Sequence, residues 1–219
     1  MKKIFLLLSI CFSFLSFSQP LVELAKVSSG IYFSEDKLMT TIDPTLVNTV
    51  KSGSLFLSMY GFKMKSLAQI DGKEANYVLN QDAKFYFKFK PEEKELNSTN
   101  ANATNIVGTE NYMNLLLSGA NSKAVSPNEF KLVKLKLKKG KRSFINGKYD
   151  VYGLSFEQSI DSKSIIDFKY KKISDNIYEV YFPNNLTPGE YCFVYMAGVT
   201  KEYSFLQTSN FKVFDFSIK

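Results

Sequence analysis

Three carboxylates stand where a reactive group could be held: Glu129 in Ser126-Pro127-Asn128-Glu129-Phe130, Glu190 in Pro188-Gly189-Glu190-Tyr191, and Asp215 between Phe214 and Phe216. Two carboxyl groups facing each other within about 10 Å suffice for acid–base hydrolysis of a glycosidic bond. Spacing alone pairs none of the three. Asp215, flanked by phenylalanines, reads as a structural hydrogen-bond acceptor or strand-edge residue. The chain contains no histidine, so Ser-His-Asp and Cys-His nucleophiles and histidine zinc sites are excluded. No glycine-rich phosphate loop of the usual form occurs. Glu92-Glu93-Lys94-Glu95 is charge-dense but lacks the glycine pattern of a calcium loop. The expectation is no catalytic set, no metal site and no cofactor.

The remaining chemistry is electrostatic. Lys134, Lys136, Lys138, Lys139, Lys141 and Arg142 lie within one strand and turn. Alternation puts Phe130, Leu132, Lys134, Lys136 and Lys138 on one face, and Lys131, Val133, Leu135 and Leu137 on the other. Such a basic hairpin suits docking to an anionic envelope polymer or lipid headgroups. The simpler reading, and the one the pattern favours, is an edge strand kept from pairing by its lysines. Arg142 is the only arginine in the sequence, and bidentate phosphate recognition leans on arginine. A nucleic-acid partner is therefore not expected; an envelope protein is the other partner class. Tyr86 and Tyr181 could stack on sugar rings, but tyrosines fit a core equally well.

The start of the chain reads as an export signal. Lys2 and Lys3 precede an apolar run from Ile4 to Phe17, and Ser16 and Ser18 put small residues before Gln19. This is a secretory leader over residues 1–18, shorter than the roughly 20 residues a spanning helix needs. A lipid anchor on Cys11 is disfavoured by the bulk of Ile10. Cleavage lowers the formal charge from +7 by the two lysines, to +5. It leaves Cys192 alone, in a strand apolar on both faces, where it reads as a small core residue. The expected location is periplasmic or extracellular, with no transmembrane segment after cleavage.

Short strands separated by turn residues position these groups. The sequence predicts strands over Gly30 to Phe33, Leu38 to Ile42, 55–60, Lys63 to Ile70, Lys84 to Lys90, Glu129 to Lys138, Lys148 to Phe156, Ser164 to Tyr170, Ile177 to Phe182 and Phe211 to Ile218. Thr45 to Val50 reads as a helical turn, because Leu46 and Val50 lie four apart. Asp71-Gly72 and Asn146-Gly147 read as turns, as does Ser174-Asp175-Asn176. On the Lys84 strand Phe85, Phe87 and Phe89 face inward and Tyr86 outward. Residues 92–105 form a polar tract whose two Asn-x-Thr/Ser matches read as chance. In the strand after Pro188-Gly189, Tyr191, Phe193 and Tyr195 share one face and Cys192, Val194 and Met196 the other, so it should be central and covered on both sides.

Leu186-Thr187-Pro188-Gly189-Glu190-Tyr191 looks like a sandwich corner in which a tyrosine hydroxyl ties back to upstream backbone; fibronectin type III domains carry a similar corner. Taken together, Phe85-Tyr86-Phe87, Ser126 to Phe130, Pro188 to Tyr191 and Val213 to Ile218 resemble a family of uncharacterised secreted Bacteroidetes-type β proteins ending in Phe-Asp-Phe-Gly-Ile/Val. Ser217 stands where that motif has glycine. If that position demands glycine, this copy has relaxed it. The resemblance implies a β fold and export and no activity. The resulting expectation is an all-β antiparallel sandwich over residues 80–219 with an additional N-terminal β section over 19–79. In function it is an exported, non-catalytic binding or scaffolding protein of the cell envelope. The alternatives are a carboxylate-dependent hydrolase and a structural subunit of an envelope assembly.

Overall fold

A computed structural model describes residues 28–35, 38–52, 64–90, 124–149, 156–196 and 211–219, together with Leu24. The expected leader, the strand expected over 55–60 and the polar tract lie outside these residues.

Two sheets build the fold. The smaller contains β1 (Gly30–Glu35), β2 (Leu38–Thr41), β6 (Lys84–Lys88), β12 (Lys169–Ser174) and β13 (Ile177–Tyr181), in the order β12-β13-β6-β1-β2. The larger has ten strands. Its path is β10 (Phe156–Gln158), β9 (Lys141–Tyr149), β4 (Met64–Asp71), β3 (Thr45–Ser52), β15 (Phe211–Ile218), β14 (Gly189–Tyr195), β7 (Phe130–Lys134) and β11 (Ile165–Ile166). Beside it β5 (Val78–Leu79) pairs parallel to β15, and β8 (Lys136–Lys138) pairs with β9. All other pairings are antiparallel, and the larger sheet curls into a half-barrel. The chain is thus an all-β antiparallel sandwich with one curled layer. Strands from the section before residue 80 enter both sheets: β1 pairs with β6, and β3 with β15.

The strand expected from Glu129 to Lys138 breaks at Leu135, whose N–H donates to the Glu190 carbonyl at 2.8 Å. Before the break β7 pairs with β14; after it β8 pairs with β9. One stretch of chain therefore joins the two ends of the curl.

The smaller sheet packs on the outer face of β7, β14 and β15. This core is aromatic: Phe85, Phe87, Phe130, Phe193, Phe214 and Phe216 are all buried in it. Phe87 meets Phe130 and Phe193 edge-on at 5.1 and 5.0 Å between centroids. The opposite faces of the same strands turn into the half-barrel, where Cys192, Val194, Val213 and Val133 meet Val47, Ala68, Ile70 and Phe144. The two-sided apolar pattern of the Tyr191 strand thus marks a wall shared by two cores.

The tyrosine corner forms as expected. Tyr191 Oη donates to the Thr187 carbonyl at 2.6 Å, and Gly189 holds φ at +151°, a value side-chain-bearing residues rarely adopt. Tyr32 repeats the device, donating to the Ser28 carbonyl at 2.8 Å. The expected turn at Asp175-Asn176 also forms, with Asn176 at positive φ.

Four local expectations are corrected. Thr45 to Val50 is β3, a strand and not a helical turn; β-branched Thr45, Val47, Thr49 and Val50 fit a pleated surface. Asp71-Gly72 does not close a two-residue hairpin, because the chain after β4 crosses to lay β5 beside β15. Asn146-Gly147 lies inside β9, where pairing with β4 shifts register. A two-residue bulge signal and a turn signal look alike in sequence. Tyr86 is buried with Leu24, Tyr32 and Ile177, so it is not an exposed stacking surface.

Replacing Tyr191 by Phe should lower stability by about 1 kcal/mol in urea unfolding, the net worth of a typical internal hydrogen bond. Cys192 is buried, and burial pushes its thiol well above its ordinary range. With Cys11 changed to serine, a thiol reagent should modify Cys192 only as fast as the protein opens.

Candidate functional site

The three candidate carboxylates do not share one site. Glu129 closes a capped 3-10 turn over Pro127–Glu129, where its Oε1 accepts from the N–H groups of Ser126 and Val125 at 2.9 and 2.8 Å. Its Oε2 accepts from Tyr195 Oη at 3.1 Å, which ties the turn to β14. Burial first, and then this bond, push the Tyr195 phenol from its ordinary 10.0 up to about 12.

Glu190 and Asp215 do come together, and Arg142 brings them. Its Nη1 lies 3.3 Å from Glu190 Oε2 and also donates to Asp215 Oδ2. Nε and Nη2 donate to the carbonyls of Gly72 and Asp71, each at 3.3 Å. Asp215 Oδ1 accepts from Thr45 Oγ1. Glu190 Oε1 accepts from Ser217 Oγ at 2.6 Å, and Oε2 from the Ala75 N–H at 3.1 Å. The Arg142 and Asp215 side chains are 4% and 5% exposed, and Glu190 14%. Every carboxylate oxygen already accepts a bond from the protein. Two carboxylates do stand close, as a hydrolase needs. They are locked to a guanidinium inside the half-barrel, which makes them acceptors within the fold. The reading of Asp215 as a structural acceptor holds.

Ser217 belongs to this cluster. Its backbone is extended and its N–H donates to the Tyr77 carbonyl at 2.8 Å, while its hydroxyl bridges Ala75 and Glu190. The position accommodates a side chain without strain. At the other end of the interior, Thr49 Oγ1, Ser66 Oγ and Asn146 Oδ1 are buried without a protein partner.

The six residues of the basic hairpin divide between four environments. Arg142 points inward and is unavailable to an external partner; alternation reversed its side because it neighbours Lys141 on β9. Lys134 lies half-buried over the Tyr191 ring, 5.5 Å from its centroid, and donates to Thr187 Oγ1 at 2.7 Å. Lys141 pairs with Asp71 at 2.9 Å, with both side chains largely in water. Lys136, Lys138 and Lys139 are exposed, as is Leu137 at 56%. Lys139 and Gly140 both take positive φ, which makes a two-residue hairpin turn between the paired Lys138 and Lys141.

The expected face assignment along this strand survives the break at Leu135. Phe130 and Leu132 lie under the smaller sheet, Lys134 sits at its rim, and Lys136 and Lys138 continue the same outer face into water. The strand is therefore amphipathic along its length. The ion pairs seen among the described residues engage Lys141, Arg142, Lys171 and Lys172; Lys136, Lys138 and Lys139 take part in none of them. Among the described residues no group of three or more metal-ligating side chains converges, and no helix is long and apolar enough to cross a membrane.

Comparison with protein-family models, with curated proteins and with solved structures finds no match.

Changing Arg142 to Met strands two buried carboxylates and should destabilise the protein by about 3–5 kcal/mol in urea unfolding. Adding Asp215→Leu and Glu190→Leu should recover most of that loss. Tyr195 generates a pH dependence of definite sign. The folded state holds its proton more tightly than the unfolded chain, so its contribution is complete below pH 10.0 and is lost as pH rises to about 12. Alkaline unfolding of Tyr195→Phe should fall less steeply across that window than the parent.

Proposed function

We propose that the chain is an exported, non-catalytic binding protein of the cell envelope, and that its working surface is the uncovered outer face of the β8–β9 hairpin. The observation that carries this reading is the division of the basic residues. The one arginine is spent inside as a counter-ion, while Lys136, Lys138 and Lys139 stand in water beside an exposed Leu137. Lysines that only guarded a sheet edge would resemble those on β12, the outermost strand of the smaller sheet. There Lys171 pairs with Glu179 at 2.7 Å and Lys172 with Asp175 at 3.2 Å. Lys136, Lys138 and Lys139, which enter none of the described ion pairs, keep their charge for a partner. Exposed charges of this kind attract an anionic ligand at low ionic strength and are screened by salt over about 10 Å at 0.1 M.

Export rests on the charged, apolar and small-residue succession of residues 1–18. The resemblance read from the sequence motifs implies the same location. The hydrolase reading loses support because Glu190 and Asp215 are held by Arg142. The structural-subunit reading draws on one observation. Among the described residues β2, Leu38-Met39-Thr40-Thr41, is outermost in the smaller sheet; it carries no charge, and Leu38 is 70% exposed. An unguarded edge of this kind can accept another strand.

Capture from an envelope extract tests the proposal. The parent should retain an anionic component at low salt and release it at high salt. The variant with Lys136, Lys138 and Lys139 changed to Gln should retain several-fold less. Equal retention by both would overturn the basic-face reading. A protein retained at high salt and lost on Leu38→Lys would favour the structural subunit.

A further inference from the structure

The basic hairpin continues across the sheet. Pairing of β4 with β9 places Lys65 directly opposite Lys148, and both are exposed. Like charges directly opposite one another destabilise a sheet, a cost that an acidic residue across from either lysine offsets. Strand β10 puts Glu157 opposite Lys148 from the other side, by register. The same outer face carries Lys138 opposite Lys141 and Lys141 opposite Asp71, then Lys136 opposite Ser143 and Ser143 opposite Gln69. Between the two basic rows lie half-buried Leu67 and Ile145, themselves paired. The face thus runs from a lysine row, through a hydroxyl, an amide and two aliphatic side chains, to a second lysine row. At about 3.3 Å per residue the rows stand roughly 20 Å apart along β9.

We propose that this face is a track for a linear acidic polysaccharide, lying along β9 with its carboxylates at the two lysine rows and its sugar rings over Gln69, Ser143, Leu67 and Ile145. This rests on the envelope-binding reading above and names the ligand class for that site. Two features fit the class. Both rows lie along one strand, so an extended flexible chain lying on β9 reaches both, and lysines, as point charges, meet carboxylates as readily as phosphates. The residues between the rows offer hydrogen bonds and apolar contact, which suits sugar rings better than bare repeating charge.

The test uses the full exported chain titrated with alginate at low and high salt, beside neutral dextran, polyphosphate and phosphatidylglycerol vesicles. The expected result is salt-sensitive binding to alginate, weaker binding to polyphosphate, and none to dextran. Lys65→Gln with Lys148→Gln should weaken alginate binding about threefold or more, comparably to Lys136→Gln with Lys138→Gln. All four residues are exposed, and circular dichroism checks that each variant folds. If the hairpin pair matters and the Lys65/Lys148 pair does not, the track is overturned while the hairpin reading stands. Binding to vesicles or polyphosphate with none to alginate overturns the polysaccharide class. No binding to any anionic probe removes the track and the hairpin reading together.

Discussion

The structure depends on one buried guanidinium. Arg142 comes from β9, yet its partners lie on β14, β15, the end of β4 and the residue after it, and through Asp215 it reaches Thr45 on β3. A charge this deeply buried is tolerated only when paired and hydrogen-bonded. Those partners assemble only once the sheet has curled far enough to bring β9 over β14 and β15. Closure and charge pairing are therefore one event. A one-residue slip of β9 would turn Arg142 outward, leave Asp215 and Glu190 facing each other unneutralised, and turn Lys141 inward. The cluster selects register as well as holding the curl.

The wall shared by the two cores follows the same geometry. Toward the smaller sheet the gap is that of two stacked sheets, about 10 Å, and phenylalanine rings from both sides fill it. Toward the half-barrel, curvature brings the strands' own side chains together. Aliphatic side chains and Cys192 fill that side, and Phe144 is the one ring among the described residues of that cluster. Cys192 is where it is because its size fits, and burial keeps its thiol protonated.

Much of this was legible in the sequence, because two-residue alternation reports which face is covered. The opposed faces of β14, the tyrosine corner at Tyr191 and the limits of β15 follow from alternation and turn chemistry alone. Tyr86 was misread because alternation reports direction and not cover; Leu24 and Ile177 bury a face that reads as outward. Thr45 to Val50 admits a helical spacing that tertiary pairing overrides. Asn146-Gly147 carries turn residues that serve a bulge. The Arg142 cluster was hidden for a plainer reason, since its members are more than seventy residues apart in places and no local pattern joins them. The signal was there in another form: a lone arginine in a lysine-rich chain, one residue out of phase with its lysine neighbours. The Lys65–Lys148 pairing likewise needed the register of β4 on β9.

The cations fall into a buried one that holds the fold and exposed ones that are proposed to meet a ligand. Lysine-reactive footprinting, read residue by residue with and without an anionic polysaccharide at low salt, tests that division most directly. Protection at Lys65, Lys136, Lys138, Lys139 and Lys148, with Lys169, Lys171 and Lys172 on β12 unchanged, is the predicted result. Protection centred on the β12 lysines, or spread evenly over the surface, would contradict it.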